Sequence, residues 1–244
     1  MQKNRNKMGT MPMPGLILNM SLPLMFSLLI QSLYNIVDSI FVARLGQNAL
    51  TAVSLAYPMQ ILMIAVSVGT SVGINALLSK SIGAGQTELT GRASATGVLL
   101  ALAGTAVFLV LGLFGAESFA AAFTQDAAIA GDCGAYLRIC MVFCLGTFVG
   151  TMYQRFLQSV GNTFGSMLTL VAGGVTNLVL DPILIFGWFG LPALGIRGAA
   201  IATVIGQAWY AFWIAEPAAA LYAGRAALRL LNARGMCAAD EPKE

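Results

Sequence analysis

Between Lys7 and Arg44 the chain carries a single charge, Asp38, inside an apolar run that extends from Leu16 to about Ala43. That run is long enough to cross about 30 Å of hydrocarbon as a helix. A secretory leader would stop after a short apolar core at a small-residue cleavage site, and this run continues well past that point. In lipid the backbone must satisfy its own hydrogen bonds, so the segment is read as a transmembrane helix. The pattern recurs at Thr176-Asn177-Leu178-Val179-Leu180-Asp181-Pro182, which sets a second acid inside the apolar run Phe164 to Trp188. An Asp at the centre of a lipid-embedded helix costs about 2.5–3.5 kcal/mol, so such a residue is read as functional, with a partner to be found. Two such acids on two helices point to one site.

Composition agrees. The sequence is 58% apolar and 9% charged, with mean hydropathy +0.80, where soluble domains carry about a quarter charged residues. The expected fold is an all-α polytopic membrane bundle. A net charge of +3, scattered along the chain, gives no footprint for nucleic acid. Histidine is absent, and the four cysteines lack metal or redox spacing. Cys133, Cys140 and Cys144 fall at helical spacing and read as small apolar residues of one helix face. Cys237 is isolated in a polar tail.

Six transmembrane helices are expected over residues 16–214: Leu16 to Ala43, Leu50 to Leu77, Ala93 to Gly115, Cys133 to Tyr153, Phe164 to Trp188, and Gly198 to Ile214. Residues 1–15 form a polar, basic leading segment and 215–244 a divergent polar tail. Ser79 to Glu88 reads as a polar loop; it lacks the Gly-Lys-Ser/Thr ending and the preceding strand of a phosphate loop. Glu117 to Asp132 reads as an acidic, Ala-rich connection with a short interfacial helix, and Arg155 to Thr163 as a polar connection. Arg138 is expected to snorkel to the surface. With the N-terminus inside, ten Lys/Arg residues lie on that side and three, Arg44, Arg138 and Arg197, on the other. The positive-inside rule then puts both termini in the cytoplasm of a cell with the bundle in its inner (plasma) membrane.

This topology places Asp38 and Asp181 at matching depth, about 10 Å from the outer ends of their helices, with Tyr136 and Thr203 about 6–8 Å below the outer starts of theirs. All four are expected in one layer. Asn177 lies one turn from Asp181 on the same face. Pro182 has no N–H for the Leu178 carbonyl, and Pro23 is expected to bend or loosen the first helix. Gln31 and Asn35, one turn apart and ending one turn before Asp38, extend a polar lane. The many Met and Phe residues read mainly as packing or lipid-facing.

Several stretches carry a family resemblance. Asn19-Met20-Ser21-Leu22-Pro23, Leu33 to Gly46, Ala49 to Ser54, Arg155 to Thr163, Asn177 to Pro182 and Gly198 to Thr203 resemble the multidrug and toxic compound extrusion (MATE) family, covering about residues 16–213. The resemblance implies an α-helical antiporter, not an enzyme, that expels organic, often cationic compounds against proton or sodium entry, with no cofactor besides that ion. It also implies that Asp38, Asn177 and Asp181 bind the proton or sodium ion, with Tyr136 and Thr203 as supporting groups, and that Pro23 bends during the cycle. Members of the family have two six-helix lobes around a cleft. This chain matches one, the N-terminal lobe, and diverges beyond about Ala215, as truncation or a frame change would produce. A second lobe would then come from a homodimer, another chain or a missing C-terminal half, and without it the lobe is a half-transporter.

The physical expectation is that two nearby carboxylates in a low-dielectric site resist joint ionisation and favour a neutralising cation. Cation binding then shifts helix packing only through its differential affinity for two states. Two rival functions are weighed against this. A lipid or lipid-linked precursor flippase would want a basic intramembrane cavity. An intramembrane aspartyl protease would also pair two Asp, but Val179-Leu180 precedes Asp181 where that class has Gly-x-Gly.

Overall fold

The computed structural model describes residues 12–209, 211 and 212. The 215–244 tail with Cys237 and residues 1–11 of the 1–15 segment lie outside the described residues. Those described form an all-helical bundle: α1 (Met13–Ala43), α2 (Gln47–Gly83), α3 (Thr87–Phe114), α4 (Ala116–Phe123), α5 (Ala127–Val142), α6 (Leu145–Ser159) and α7 (Thr163–Phe186). A 3-10 turn, Trp188–Gly190, leads to α8 over residues 196–209.

Four of these, α1, α2, α3 and α7, are long and apolar enough to cross a membrane, and α5 and α6 pass the same test together as a pair bent by 46°. The expected straight helix Cys133 to Tyr153 is therefore corrected to two. Its start lies earlier because Asp126 caps it, its carboxylate accepting from the N–H groups of Ala128 at 2.9 Å and Ile129 at 3.4 Å. Other boundaries shift as well. The Ser79 to Glu88 loop contracts to residues 84–86, since α2 runs through Gly83 and α3 begins at Thr87. Most of the Arg155 to Thr163 connection is helix, ending at Ser159. The first helix starts at Met13 rather than Leu16, with Pro14 suited to its first turn. Pro23 lies within α1, and Ser27 Oγ donates to its carbonyl at 2.8 Å.

Helices α2 to α6 pack against one another into a body, while α1 packs chiefly on α7. The packing face of α3 is a helical-period stripe of mostly small residues, Ala93, Gly97, Ala101, Thr105, Phe108 and Gly112, which lets helices approach closely. Cys133 and Cys140 are buried on α5 and Cys144 at the bend. Arg138 is exposed and paired with Glu117 at 3.2 Å.

The link from α7 to α8 is tight. Gly187 takes a left-handed conformation at the end of α7, and the Leu194 and Gly195 N–H groups donate to the Leu184 and Ile185 carbonyls at 3.0 and 3.2 Å. A Cβ on Gly198 would fall 2.5 Å from the Leu184 oxygen, so only glycine lets α8 start this close to α7.

Candidate cation site

Asp181 is 0% exposed, one turn after the buried Asn177 on α7. Asp38, half-buried on α1, comes within hydrogen-bonding reach of it. The helices meet closely here because α7 offers glycine: a Cβ on Gly174 would sit 2.9 Å from the Tyr34 ring. Tyr34 stands one turn before Asp38 on α1 and within reach of the Gln31 side chain.

Asp38 Oδ1 and Asp181 Oδ1 are buried without a hydrogen-bond partner among the described residues. Buried acceptors in that condition are costly. A shared proton, an alkali cation or ordered water is the kind of group that supplies the missing interaction.

The Asn177 amide is oriented by its neighbours. With its oxygen turned to the Thr203 backbone N–H, which it meets at 3.1 Å, the amide nitrogen donates to Asp181 Oδ2 at 3.2 Å; turned the other way, that nitrogen donates to the Thr203 hydroxyl at 3.4 Å. The Thr203 hydroxyl donates to the Ala199 carbonyl of its own helix at 3.0 Å, so Thr203 meets Asn177 through its backbone N–H in the first orientation and through its hydroxyl oxygen in the second. Tyr136 is 3% exposed and lies deep in α5 rather than near a helix start. Gln60 of α2 donates to its hydroxyl at 3.2 Å and to Cys140 Sγ at 3.7 Å. Tyr136 and Cys140 both fall within electrostatic range of Asp38. Of the polar lane, Gln31 faces inward and Asn35 is exposed. Pro182 is buried next to Asp181.

Sequence reading passed over Tyr34 and Gln60. Tyr34 was legible, being four residues before Asp38; nothing in the α2 sequence marked Gln60 as facing Tyr136.

Beside this layer opens a cavity of about 450 Å³ between α1, α2, α6, α7 and α8. Gln31, Tyr34, Asn177 and Thr203 line its acid end, and Leu24, Leu28, Ile64, Val68 and Leu170 its apolar walls. Toward the α6–α7 turn it is lined by Thr151, Gln154, Arg155 and Gln158. Arg155, read from sequence as part of a connection, is thus a cavity residue. The volume falls in the range of sites for drug-sized molecules.

An apolar helical lobe with a paired intramembrane acid layer and an adjoining cavity fits a transporter, and comparison with known proteins decides the family. The MatE family profile matches residues 23–183. The chain belongs to the MatE family. Over 211 residues it is 28% identical to a protein of Shewanella oneidensis named "FAD transporter", covering 83% of this chain and 45% of that one. Over 185 residues it is 32% identical to "Probable multidrug resistance protein YoeA" of Bacillus subtilis, covering 75% and 40% respectively. A solved outward-facing multidrug resistance MATE family transporter of the MOP superfamily superposes with a TM-score of 0.77 at 27% identity, over 82% of this chain and 44% of that one. The chain therefore spans under half the length of these relatives and corresponds to one MATE lobe. MATE proteins are multi-pass membrane transporters.

Proposed function

We propose that this chain is the N-terminal lobe of a cation-coupled antiporter that exports organic, often cationic compounds. The observation that carries the reading is the Asp38–Asp181 pair with its two buried oxygens lacking donors. A proton or sodium ion neutralises this pair, held further by Asn177, with Tyr136 as outer support and Thr203 fixing the Asn177 amide through its backbone N–H. In this reading both termini are cytoplasmic, six helices cross the membrane, and the acid layer lies in its outer half. The cavity alongside admits the organic substrate. A cation drawn between α1 and α7 favours the packing in which these helices are close, and substrate release follows the same change. A second lobe, from a second copy or another chain segment, encloses the other side of the cleft.

The test is ethidium efflux from proteoliposomes holding this chain under imposed proton or sodium gradients, with Asp38→Asn and Asp181→Asn alongside. Export driven by one gradient and lost in both variants is the expected result. Where the lobe alone exports nothing, protection of the purified chain against thermal unfolding by Na⁺ or by lowered pH is the second readout, again lost in both variants. Efflux that ignores both gradients, or protection that survives in the variants, would sink the coupling role of the acid pair.

A further inference from the structure

The link between α7 and α8 is unlike the turns that end other spanning helices. Arg44, Gln86 and Asn162 stand in the turns after α1, α2 and α6, polar groups that suit a turn in water. From Pro182 to Ile196 there is no charged, hydroxyl or amide side chain, and the indole N–H of Trp188 is the one polar side-chain group. Residues 188–194, Trp-Phe-Gly-Leu-Pro-Ala-Leu, are nevertheless all exposed. Phe189, at 88%, is the most exposed large apolar side chain among the described residues.

The backbone is strained where it presents these rings. Phe189 has φ 61° and is the only non-glycine residue in the left-handed region among the described residues, where a Cβ crowds the following carbonyl oxygen. An outlier of this kind persists when its surroundings fix it. Here the Leu194 and Gly195 N–H groups hold the far side of the turn on the Leu184 and Ile185 carbonyls, and the Leu191 N–H donates to the Trp188 carbonyl at 3.4 Å. A Cβ on Gly187 would lie 2.5 Å from the Leu191 oxygen, so the neck beneath the rings is packed to contact.

Neighbouring groups set the level of the turn in the membrane. Helix α7 has 24 residues, about 36 Å at 1.5 Å per residue, which exceeds the roughly 30 Å of a hydrocarbon layer. Its ends therefore reach the headgroups. The Phe41 and Phe186 rings meet edge to face with centroids 6.2 Å apart, which puts the ends of α1 and α7 at one height. Exposed arginines flank that height, Arg44 just after α1 and Arg197 at the start of α8, and such side chains sit where lipid gives way to water. Trp is enriched at the same boundary, with its ring in the apolar layer and its N–H among polar headgroups.

We propose that Trp188, Phe189 and Leu191 form a rigid lipid anchor, seated at the headgroup boundary of the leaflet at the Asp38–Asp181 end of the lobe. Its partner is phospholipid, and the left-handed backbone at Phe189 is what turns that ring outward. Asp181 lies five residues before Phe186, the last residue of α7, so the anchor also fixes the depth of the acid on that helix. The inference goes beyond the antiport reading and holds whichever ion or substrate the lobe binds.

The test uses the full chain with Trp209→Phe and Trp213→Phe, which leave Trp188 as the sole indole. It is placed at one copy per phosphatidylcholine nanodisc, with nitroxide quenchers on the headgroup, high on the acyl chain or at the chain end, or with iodide in the water. Strongest quenching by the headgroup or upper-chain nitroxide is the expected result. Strongest quenching by iodide would put the turn in water, and by the chain-end nitroxide in the hydrocarbon centre; either overturns the proposal. Quenching by none of them would mean that protein covers the rings, and overturns it too. In the chain with all its tryptophans, Phe189→Gly gives a second readout, since glycine adopts this backbone freely. That variant is expected to lose about 2–4 °C of the melting-point gain that phospholipid gives over detergent, the scale of a partly buried aromatic ring in a chain of this length. An undiminished gain overturns the proposal, and this comparison decides it if the chain with one tryptophan does not fold.

Discussion

The α2–α6 body and the α1–α7 pair differ in what their buried surfaces hold. In the body, Phe148, Leu137, Met141, Met152 and Leu78 are all under 2% exposed or nearly so, and the Phe108 and Phe148 rings pack with centroids 5.6 Å apart. Glycines make room for them: a Cβ on Gly104 would overlap the Phe148 ring, and one on Gly112 would lie 2.6 Å from Met141 Cβ. Along α1 only Ser27 and Val42 are buried, and where it meets α7 the contact holds two carboxylates with oxygens that lack donors. Dispersion and close packing hold the body together. The α1–α7 contact carries two carboxylate oxygens without a hydrogen-bond partner among the described residues, a pattern expected where stability is traded for function.

The sharpest way to break this contrast is Gly112→Leu. Its side chain must enter between α3 and α5, against both Met141 and the Val142 backbone N at 3.2 Å from the Cβ position. Overpacking of this kind costs about 1–3 kcal/mol, and loss of the monodisperse peak on heating, read by size-exclusion chromatography, is the expected outcome. Asp181→Asn should act in the opposite direction. Removing one of two facing acids is expected to raise thermal stability without added cation by about 0.5–2 kcal/mol, while ion-driven export falls to background. If Asp181→Asn destabilises the protein as Gly112→Leu does, the acid layer is structural and the comparison fails.

Gly174→Ala tests the seam itself. Its neighbour is the Tyr34 ring, a side chain able to shift, so a smaller cost of about 1 kcal/mol is expected, with cation protection weakened because Tyr34 moves beside Asp38. Gln60→Leu is the mildest. It removes the donor to Tyr136 and should cost about 0.5–1.5 kcal/mol in thermal or denaturant unfolding, with a modest change in cation protection. Abolished protection in that variant would move Tyr136 from outer support into direct contact with the ion.

Much of the acid layer was legible because two charges in uncharged spans, with helical rise between them and the span ends, fix depth. Asp38, Asn177 and Asp181 meet for that reason. Thr203 meets them through a backbone N–H when the Asn177 oxygen faces α8, which residue type cannot reveal. Tyr136 was placed too near a helix start because the Ala-rich, acidic stretch before Cys133 resembles a loop, whereas Asp126 caps a helix there. The bend between α5 and α6 falls at Phe143 and Cys144 with no proline to announce it. Arg155 and its neighbours looked like a connection because their polarity matches that of a loop; the cavity they line is formed with four other helices and could not be inferred from local pattern.

One side chain deserves a last consequence. With its oxygen facing α8, the Asn177 amide reaches Asp181 on its own helix and the Thr203 N–H on α8 at the same time. Both bonds already lie near the long end of hydrogen-bond geometry, leaving a few tenths of an ångström of slack. The amide therefore acts as a caliper between α7 and α8. A slide of one helix past the other opens its jaws and strips Asp181 of a donor.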